Sequence, residues 1–452
     1  MPFTPESLLS TLSRWPRPTG ILLGFSGGMD SHVLLHALAQ LAGRLPAPIR
    51  AIHVDHGLQA QSATWSRHCE SVCEQLAIPV EVFALQLKPV KGESLEAVAR
   101  EARYKLLSRE LKPDEMLLTA HHQDDQAETL LLQLLRGAGL SGLASMPALT
   151  RFAQGQHARP LLDTTRDALK RYATAAGLQW IEDDSNQDLS FDRNYLRHQV
   201  VPLLKVRWPA MARTLSRSAR HCAEADRLIE TLLSPIFDSA YDPATGTVSA
   251  SVLNGLPSEQ RSALLRLWIR RHGFASPGST VLARLSTEVL DARLDATSLV
   301  SWPGAEVRRY RDRLYLMPPL PPFDASQTIS WNGESELPLP GSGRLCFQQP
   351  EGATPASPES GRYRVVFRRG GEGCRPLGRG IRKQVKQLMQ EAAVLPWMRE
   401  RVPIFMIDGE VAEIAGICRC EPVLQDPLLK QLKITWEAAM PWRQPPQLNN
   451  LD

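Results

Sequence analysis

Ser26-Gly27-Gly28-Met29-Asp30-Ser31 stands where an apolar run, Ile21-Leu22-Leu23-Gly24-Phe25, gives way to a helix-type pattern over 30–41. Two glycines let the backbone turn tightly and gather several N–H groups at one point. The helix that follows adds the partial positive charge of its amino terminus. Such a loop suits a phosphate group, so Ser26, Gly27, Gly28, Met29, Asp30 and Ser31 are candidate cofactor-binding residues, with Asp30 also a candidate catalytic acid. It is not a Walker A loop, since no G-x4-G-K-[ST] occurs in the chain.

A second block, Thr119-Ala120-His121-His122-Gln123-Asp124-Asp125-Gln126-Ala127-Glu128, opens a helix after another apolar run. His121, Asp124, Asp125 and Glu128 fall at i, i+3, i+4 and i+7, which places them on one helical face. Carboxylates beside a phosphate loop would repel ATP unless a hard cation lies between them. Asp124, Asp125 and Glu128 are therefore candidate Mg2+ ligands, and Asp124 and Asp125 candidate catalytic residues. His53-Val54-Asp55-His56-Gly57-Leu58 ends a further apolar run, and His53, Asp55 and His121 are candidate nucleotide contacts. Arg100 and Arg103 lie one helical turn apart, a placement that can neutralise charge on a transferring phosphoryl group. Arg193 and Arg197 form an i, i+4 pair just after the acidic turn Glu182-Asp183-Asp184-Ser185-Asn186, although spacing alone gives this pair no role. Gly137-Ala138-Gly139-Leu140-Ser141-Gly142 matches G-x-G-x-x-G literally but follows a helix rather than a strand, so it reads as a helix stop and turn.

The elements that must position these residues alternate. Apolar strand runs at 21–25, 51–54, 80–85 and 116–120 are separated by helix-length segments, the pattern of a parallel sheet covered on both faces. Ser26, Asp55 and His121 each follow such a run and should share the carboxyl edge of the sheet, where ligands bind. The pattern turns helical from about 209, notably over 211–233 and 258–271; residues 323–361 are rich in Pro, Gly and Ser, as in a linker or β region. The last unit mixes strands at 363–368, 402–406 and 411–417 with one helix. The fold class is α/β: a Rossmann-like parallel-sheet domain over 1–208, a helical middle domain over 209–322, the linker or β region over 323–361, a small α+β domain over 362–440 and a flexible tail over 441–452.

The apolar share of 43% and charged share of 22% exclude a disordered chain or a fibre. No apolar stretch approaches the roughly 18–20 residues of a membrane span, and residues 1–20 lack the pattern of a secretion signal. Seven scattered cysteines, an odd number, read as reduced structural thiols of a cytoplasmic protein; neither Cys69-x3-Cys73 nor Cys418-Arg419-Cys420 has the C-x2-C spacing of a metal site. The net charge of +4 conceals its distribution: residues 361–401 carry eleven basic and three acidic side chains, the footprint of a polyanion partner.

The set S-G-G-x-D-S, H-V-D-H-G-L, A-R-x-x-R-Y, H-H-x-D-D-Q-A-E-T with L-L-R-G-x-G-L-x-G-L, and S-N-x-D…F-x-R-N-x-x-R closely resembles the tRNA(Ile)-lysidine synthetase family of PP-loop ATP pyrophosphatases. The resemblance runs almost continuously over 19–204. It resumes at Gly370-Gly371-Glu372-Gly373-Cys374-Arg375-Pro376 and Val394-Leu395-Pro396-Trp397-Met398-Arg399-Glu400-Arg401, which look like the family's tRNA-binding C-terminal domain. It implies ATP and Mg2+ as cofactors, free L-lysine and a CAU-anticodon tRNA(Ile) as substrates, and an adenylated cytidine as intermediate. It allows a homodimer. On this resemblance Arg100, Arg103 and Arg193 would meet charge on the α-phosphate, and Asp124, Asp125 and Glu128 would hold Mg2+ or the lysine ammonium. With a tRNA in view, 379–392 reads as a helix whose basic stripe is Arg379, Arg382, Lys383 and Lys386. Arg197, Arg375, Arg399 and Arg401 complete the expected tRNA contacts. A PP-loop tRNA thiolase and a non-catalytic tRNA-binding protein are the competing readings. The first is disfavoured because Cys69 and Cys73 are the only cysteines of the first domain, and the second because the loop and the acids are intact.

Overall fold

β1 (Ile21–Gly24) and β4 (Met116–Leu118) are almost wholly apolar, and Leu22, Leu23, Leu117 and Leu118 are fully buried, because helices cover both faces of the strands. The computed structural model describes residues 2–55, 57, 62–85, 95–182, 187–292, 298–348 and 361–439, without the side chains of 95–97. His56, Leu58, residues 183–186 and residues 441–452, on which parts of the sequence reading fall, lie outside them.

The chain divides into two compact units, Met1–Thr231 and Leu232–Asp452. In the first, a helix α1 (Pro5–Leu12) precedes β1, followed by α2 (Met29–Gln40), β2 (Ile49–Asp55), α3 (Ser62–Gln75), β3 (Val80–Ala84), α4 (Leu95–Glu110), β4 and α5 (Gln123–Leu135). Then come α6 (Leu140–Leu143), the hairpin β5 (Leu149–Phe152) and β6 (Gly155–Ala158), α7 (Arg166–Ala175), α8 (Asp192–Tyr195), α9 (Val201–Arg207) and α10 (Met211–Ala240). The sheet order is β3-β2-β1-β4-β6-β5, parallel except for the β5–β6 pair. The order reverses between β1 and β4, so the crevice outside their carboxyl ends is the ligand position of such sheets. One face is packed by α2, α3 and α7 through Val33, Leu34, Val72 and Leu169, and the other by Leu107 of α4 and by Leu111 just after it. Gly137 adopts φ +68° and α6 follows α5 directly, so the literal glycine motif is a helix stop and turn.

α10 runs across the boundary between the two units, and the second unit carries the helix expected over 258–271 and more strands than the sequence pattern indicates. After α10, β7 (Tyr241–Asp242), β8 (Thr247–Ser249), β9 (Leu299–Trp302), β10 (Ala305–Tyr310) and β11 (Arg313–Met317) form an antiparallel sheet in the order β7-β8-β11-β10-β9. α11 (Ala250–Asn254), α12 (Ser258–Arg271) and α13 (Ser279–Arg284) belong to the same region, whose core is built around the fully buried Trp268. Further on, β12 (Thr328–Ser330), β13 (Glu336–Leu339), β14 (Gly343–Gln348), β15 (Tyr363–Val366), β16 (Gly373–Cys374), β17 (Lys383–Gln384) and α14 (Val385–Glu391) are followed by β18 (Ile404–Ile407), β19 (Glu410–Ile414), β20 (Cys418–Arg419), α15 (Pro427–Gln431) and β21 (Lys433–Ala438). They make sheets β12-β15-β18-β19-β20, β13-β14-β21 and β16-β17 over a core that includes Trp331, Phe405 and Leu345.

The helix expected over 379–392 is corrected. Gly378 and Gly380 take φ +78° and +59°, left-handed values that end any α-helical run, and α14 starts only at Val385. Arg379 and Arg382 therefore lie on the β16–β17 connection and Lys383 on β17, while Ile381 is exposed instead of joining an apolar face.

Candidate active site at the carboxyl edge of the parallel sheet

The loop after β1 is tied to the sheet beneath it. Phe25 N–H donates to Ile52 O at 2.8 Å, and His53 Nδ1 lies 2.9 Å from Phe25 O. Gly27 has φ +79°, and a Cβ there would come within 2.9 Å of Cys69 Sγ, so glycine meets both a conformational and a space requirement. The Ser31 hydroxyl lies 3.0 Å from Ser26 Oγ and donates to Gly28 O at 3.0 Å, closing the loop over the amino end of α2. Asp30, in the first turn, has Oδ2 at 3.5 Å from His122 Nε2, while its buried Oδ1 has no partner among the described residues.

His53 is corrected as a nucleotide contact: it is buried beneath the loop against Phe25 O and Cys69 Sγ, and burial lowers its pKa despite the Phe25 hydrogen bond. Asp55 accepts from Gly57 N–H at 2.8 Å and from the Ser66 hydroxyl at 3.3 Å, an arrangement that shapes the turn after β2. Cys69 and Cys73 are fully buried, and burial pushes their thiols up to about 12 and about 11, so neither is a nucleophilic thiolate near neutral pH.

α5 begins with a capping box in which the two partners are His122 and Asp125. His122 Nδ1 accepts from Asp125 N–H at 3.2 Å, and Asp125 Oδ2 accepts from His122 N–H at 2.9 Å. Beyond it the expected single acidic face splits in two. Asp124 accepts from Arg166 N–H at 2.9 Å and from Lys205 Nζ at 2.6 Å. Asp125 Oδ1 accepts from Arg193 at 3.1 Å and Arg197 at 3.0 Å, and Glu128 accepts from Arg193 Nε at 2.9 Å and from Arg197 at 2.8 and 2.7 Å. His121 turns away to the Thr119 hydroxyl at 2.8 Å. Mg2+ ligation by Asp124, Asp125 and Glu128 does not fit this arrangement, because their oxygens are held by lysine and arginine side chains. Burial would raise Asp125, but His122, Arg193, His121 and Arg197 outweigh it and hold the carboxyl well below the usual carboxylate range. For His122, burial acts downward, and Asp125 and Asp30 outweigh it to leave the pKa raised. Arg197, expected as a tRNA contact, is engaged by Asp125 and Glu128 and ties the segment after α8 to α5.

On the other side of β4 lies a relay that spacing did not suggest. Arg159, which can only donate, reaches His157 Nδ1 at 3.1 Å; His157 Nε2–H then faces Thr119 Oγ1 at 2.8 Å, and the threonine proton goes to His121 Nδ1. His121 is thereby left with Nε2–H as its remaining donor. Burial and the charges of Arg159, Arg100 and Arg103 bring His157 down to about 3, so it stays neutral. Burial likewise lowers His121 far below its ordinary value. Arg100 and Arg103 flank the Tyr104 ring, with guanidinium carbons 5.1 and 5.6 Å from its centre. Three arginines thus gather on one histidine, an environment suited to an anion. Arg159, His157, Thr119, His122 and Lys205 are the residues sequence reasoning missed. Of these only His122 carried a visible signal, as the second histidine of its block.

In the second unit the basic residues differ widely in exposure. Arg382 and Lys386 are exposed. Arg379 and Lys383 both bond Glu391, at 2.9 and 2.7 Å, and Arg375 lies 3.6 Å from Glu421. Arg399 is half-buried and donates to Val394 O at 3.2 Å. Arg401 is corrected as a tRNA contact: only 6% exposed, it donates to Gly341 O at 2.7 Å and to Pro321 O and lies 4.8 Å from the centre of the Phe323 ring.

Three family descriptions match the chain: PP-loop domain over 6–204, TilS substrate binding domain over 249–315 and TilS substrate C-terminal domain over 363–436. The chain is 41% identical over 421 residues to the tRNA(Ile)-lysidine synthase of Coxiella burnetii, covering 93% of both chains. It is 44% identical over 400 residues to that of Methylococcus capsulatus, covering 87% of this chain and 90% of the relative. Among solved structures, the U34-tRNA thiolase NcsA from Methanococcus maripaludis with its [4Fe-4S] cluster superposes with a TM-score of 0.43 at 17% identity, over 49% of this chain and 77% of that one.

Proposed function

The chain belongs to the tRNA(Ile)-lysidine synthase family of ATP-using PP-loop ligases, and from that premise we propose how its residues divide the work. The reaction joins the amino group of free L-lysine to C2 of the wobble cytidine in a CAU-anticodon tRNA(Ile). ATP first adenylates the C2 oxygen and releases pyrophosphate; the amine then attacks C2 and expels AMP. Cleavage between the α- and β-phosphates calls for a cradle for pyrophosphate, and the observation that carries the reading is the Ser26–Ser31 turn at the switch point of the sheet.

In this reading the backbone N–H groups of Gly27 and Gly28 and the hydroxyls of Ser26 and Ser31 bind the leaving pyrophosphate at the amino end of α2. His121, fixed by the relay from Arg159, offers Nε2–H to the nucleotide, and Arg100, Arg103 and Arg159 oppose charge on the α-phosphate. Arg193 acts indirectly, by holding Asp125 and Glu128. Mg2+, when bound, would neutralise phosphate charge. Asp30 is the acid of the cluster that fits it, because its Oδ1 is buried and has no partner among the described residues. We assign residues 1–208 to catalysis and the regions 209–322 and 362–440 to tRNA handling, with contacts from Arg375, Arg379, Arg382, Lys383, Lys386 and Arg399. A cytoplasmic enzyme is the setting this reading implies. Asp30→Asn should keep the fold and lose at least about tenfold in pyrophosphate release with ATP and tRNA, a loss of roughly 1.4 kcal/mol in transition-state stabilisation. Release at the wild-type rate would remove Asp30 from the machinery.

A further inference from the structure

Cys374, Cys418 and Cys420, distant in the sequence, have their sulfur atoms within 4.8 Å of one another. Among the described residues they are the group of possible ligands that converges in this way. The backbone enforces the convergence without any ligand. Leu377 N–H donates to Arg419 O at 2.9 Å and Glu421 N–H to Arg375 O at 3.0 Å, so the segment after Cys374 runs antiparallel to the segment holding the other two cysteines. Cys420 N–H is fixed on Ala412 O at 2.8 Å. Cys418 and Cys420 stand two residues apart along an extended segment and so point to the same side, which is the side Cys374 approaches.

Cys374 is 6% exposed, Cys420 is fully buried and Cys418 is half-buried, leaving one approach from solvent. Three neutral thiols gain little from one another, since S–H is a weak donor and sulfur a weak acceptor. Three thiolates would repel unless a cation lay among them. Arg382 lies near Cys374 and Arg379 near Cys418, positive charges that would offset thiolates gathered on a cation. A tetrahedral zinc with Zn–S of about 2.3 Å sets its sulfurs about 3.8 Å apart, a contraction of no more than about 1 Å from the arrangement here.

We propose that Cys374, Cys418 and Cys420 form a thiolate site for one zinc ion, with a water molecule as fourth ligand on the open side of Cys418. The three thiols lose their protons to solvent as three Zn–S bonds form, and no oxidation state changes. The net charge of the occupied site, −1 from three thiolates and Zn2+, is met by Arg379 and Arg382. The ion pins the β16–β17 hairpin, which carries those arginines, to the β19–β20 edge of the sheet. The site does not depend on the lysidine reading.

The test is the metal content of the full chain, purified under reducing conditions from zinc-supplemented cells, by inductively coupled plasma mass spectrometry. The expected result is about one zinc per chain, lost in Cys374→Ser, Cys418→Ser and Cys420→Ser and kept in Cys222→Ser and Cys346→Ser. Replacement by Co2+ should give a thiolate-to-cobalt charge-transfer band, a readout on the intact wild-type chain that does not depend on whether the variants fold. A metal-free chain that also takes up neither Zn2+ nor Co2+ on titration overturns the proposal. So does zinc retained in all three serine variants, iron with sulfide in place of zinc, or a native mass two hydrogens short, which marks a disulfide.

Discussion

Arg197→Ala separates two uses of one side chain, a contact with tRNA and a clamp on α5. Arg197 makes three charge-assisted hydrogen bonds at 2.7–3.0 Å to Asp125 and Glu128, whose side chains are 12% and 4% exposed. Removing one partner of a buried ion pair costs about 3–5 kcal/mol, chiefly through the charge left behind. Arg193 still reaches both carboxylates, so neither acid is stripped of cations, and Arg197 keeps some solvent access. The expected loss is therefore at the low end, about 3 kcal/mol. Urea denaturation followed by circular dichroism should show an earlier transition at an unchanged slope. Arg197→Lys should recover only part of the loss, because an ammonium cannot reproduce the two-acid fork. The slope of log Kd for tRNA against log salt should stay at its wild-type value. Stability within about 0.5 kcal/mol of wild type together with a salt slope reduced by about 1 would refute the clamp and restore the tRNA contact.

His157 sets a pH dependence of stability. Its folded pKa of about 3 lies below the ordinary 6.5, so the unfolded chain takes up the proton first as pH falls; the contribution is complete above pH 6.5 and is lost progressively between there and pH 3. Between pH 7.5 and 5.5 this group alone should remove about 1.4 kcal/mol, and His157→Gln should flatten that part of a urea-denaturation series; an unchanged slope would mean the histidine is not held neutral. In the second unit, charge reversal of the exposed pair Arg382 and Lys386 should weaken tRNA binding in filter assays and lower the salt slope by about 2, and unchanged binding would remove the β16–β17 surface from the tRNA contact.

The parallel sheet and the turn after β1 were legible because both are local: buried strands read as short apolar runs, and a strand–glycine–helix junction announces itself within six residues. The same holds for α12, expected and observed over Ser258–Arg271. The failures share a physical cause. Lys205 on Asp124, Arg159 on His157 and Cys374 beside Cys418 are pairings between distant segments, and a side chain's partner in the fold leaves no mark in its immediate neighbours. The acidic face of α5 obeyed helical spacing, yet Asp124 and Asp125 point to different cations because adjacent positions on a helix lie on different sides. The basic stripe over 379–392 matched helical spacing as well, and two left-handed glycines overrode it. Arg401 was counted with a charged surface, but two backbone acceptors, Gly341 O and Pro321 O, and the Phe323 ring draw it into the core.

The most direct measurement of the central claim is a single-turnover reaction of the purified chain with α-labelled ATP, Mg2+, labelled L-lysine and a CAU-anticodon tRNA(Ile) transcript. The account predicts lysine label in the RNA at the wobble cytidine, with AMP and pyrophosphate formed in equal amounts, and neither a modified cytidine nor AMP when lysine is replaced by a sulfur donor. Label that fails to enter the RNA, ADP in place of AMP, or modification driven by the sulfur donor would contradict it.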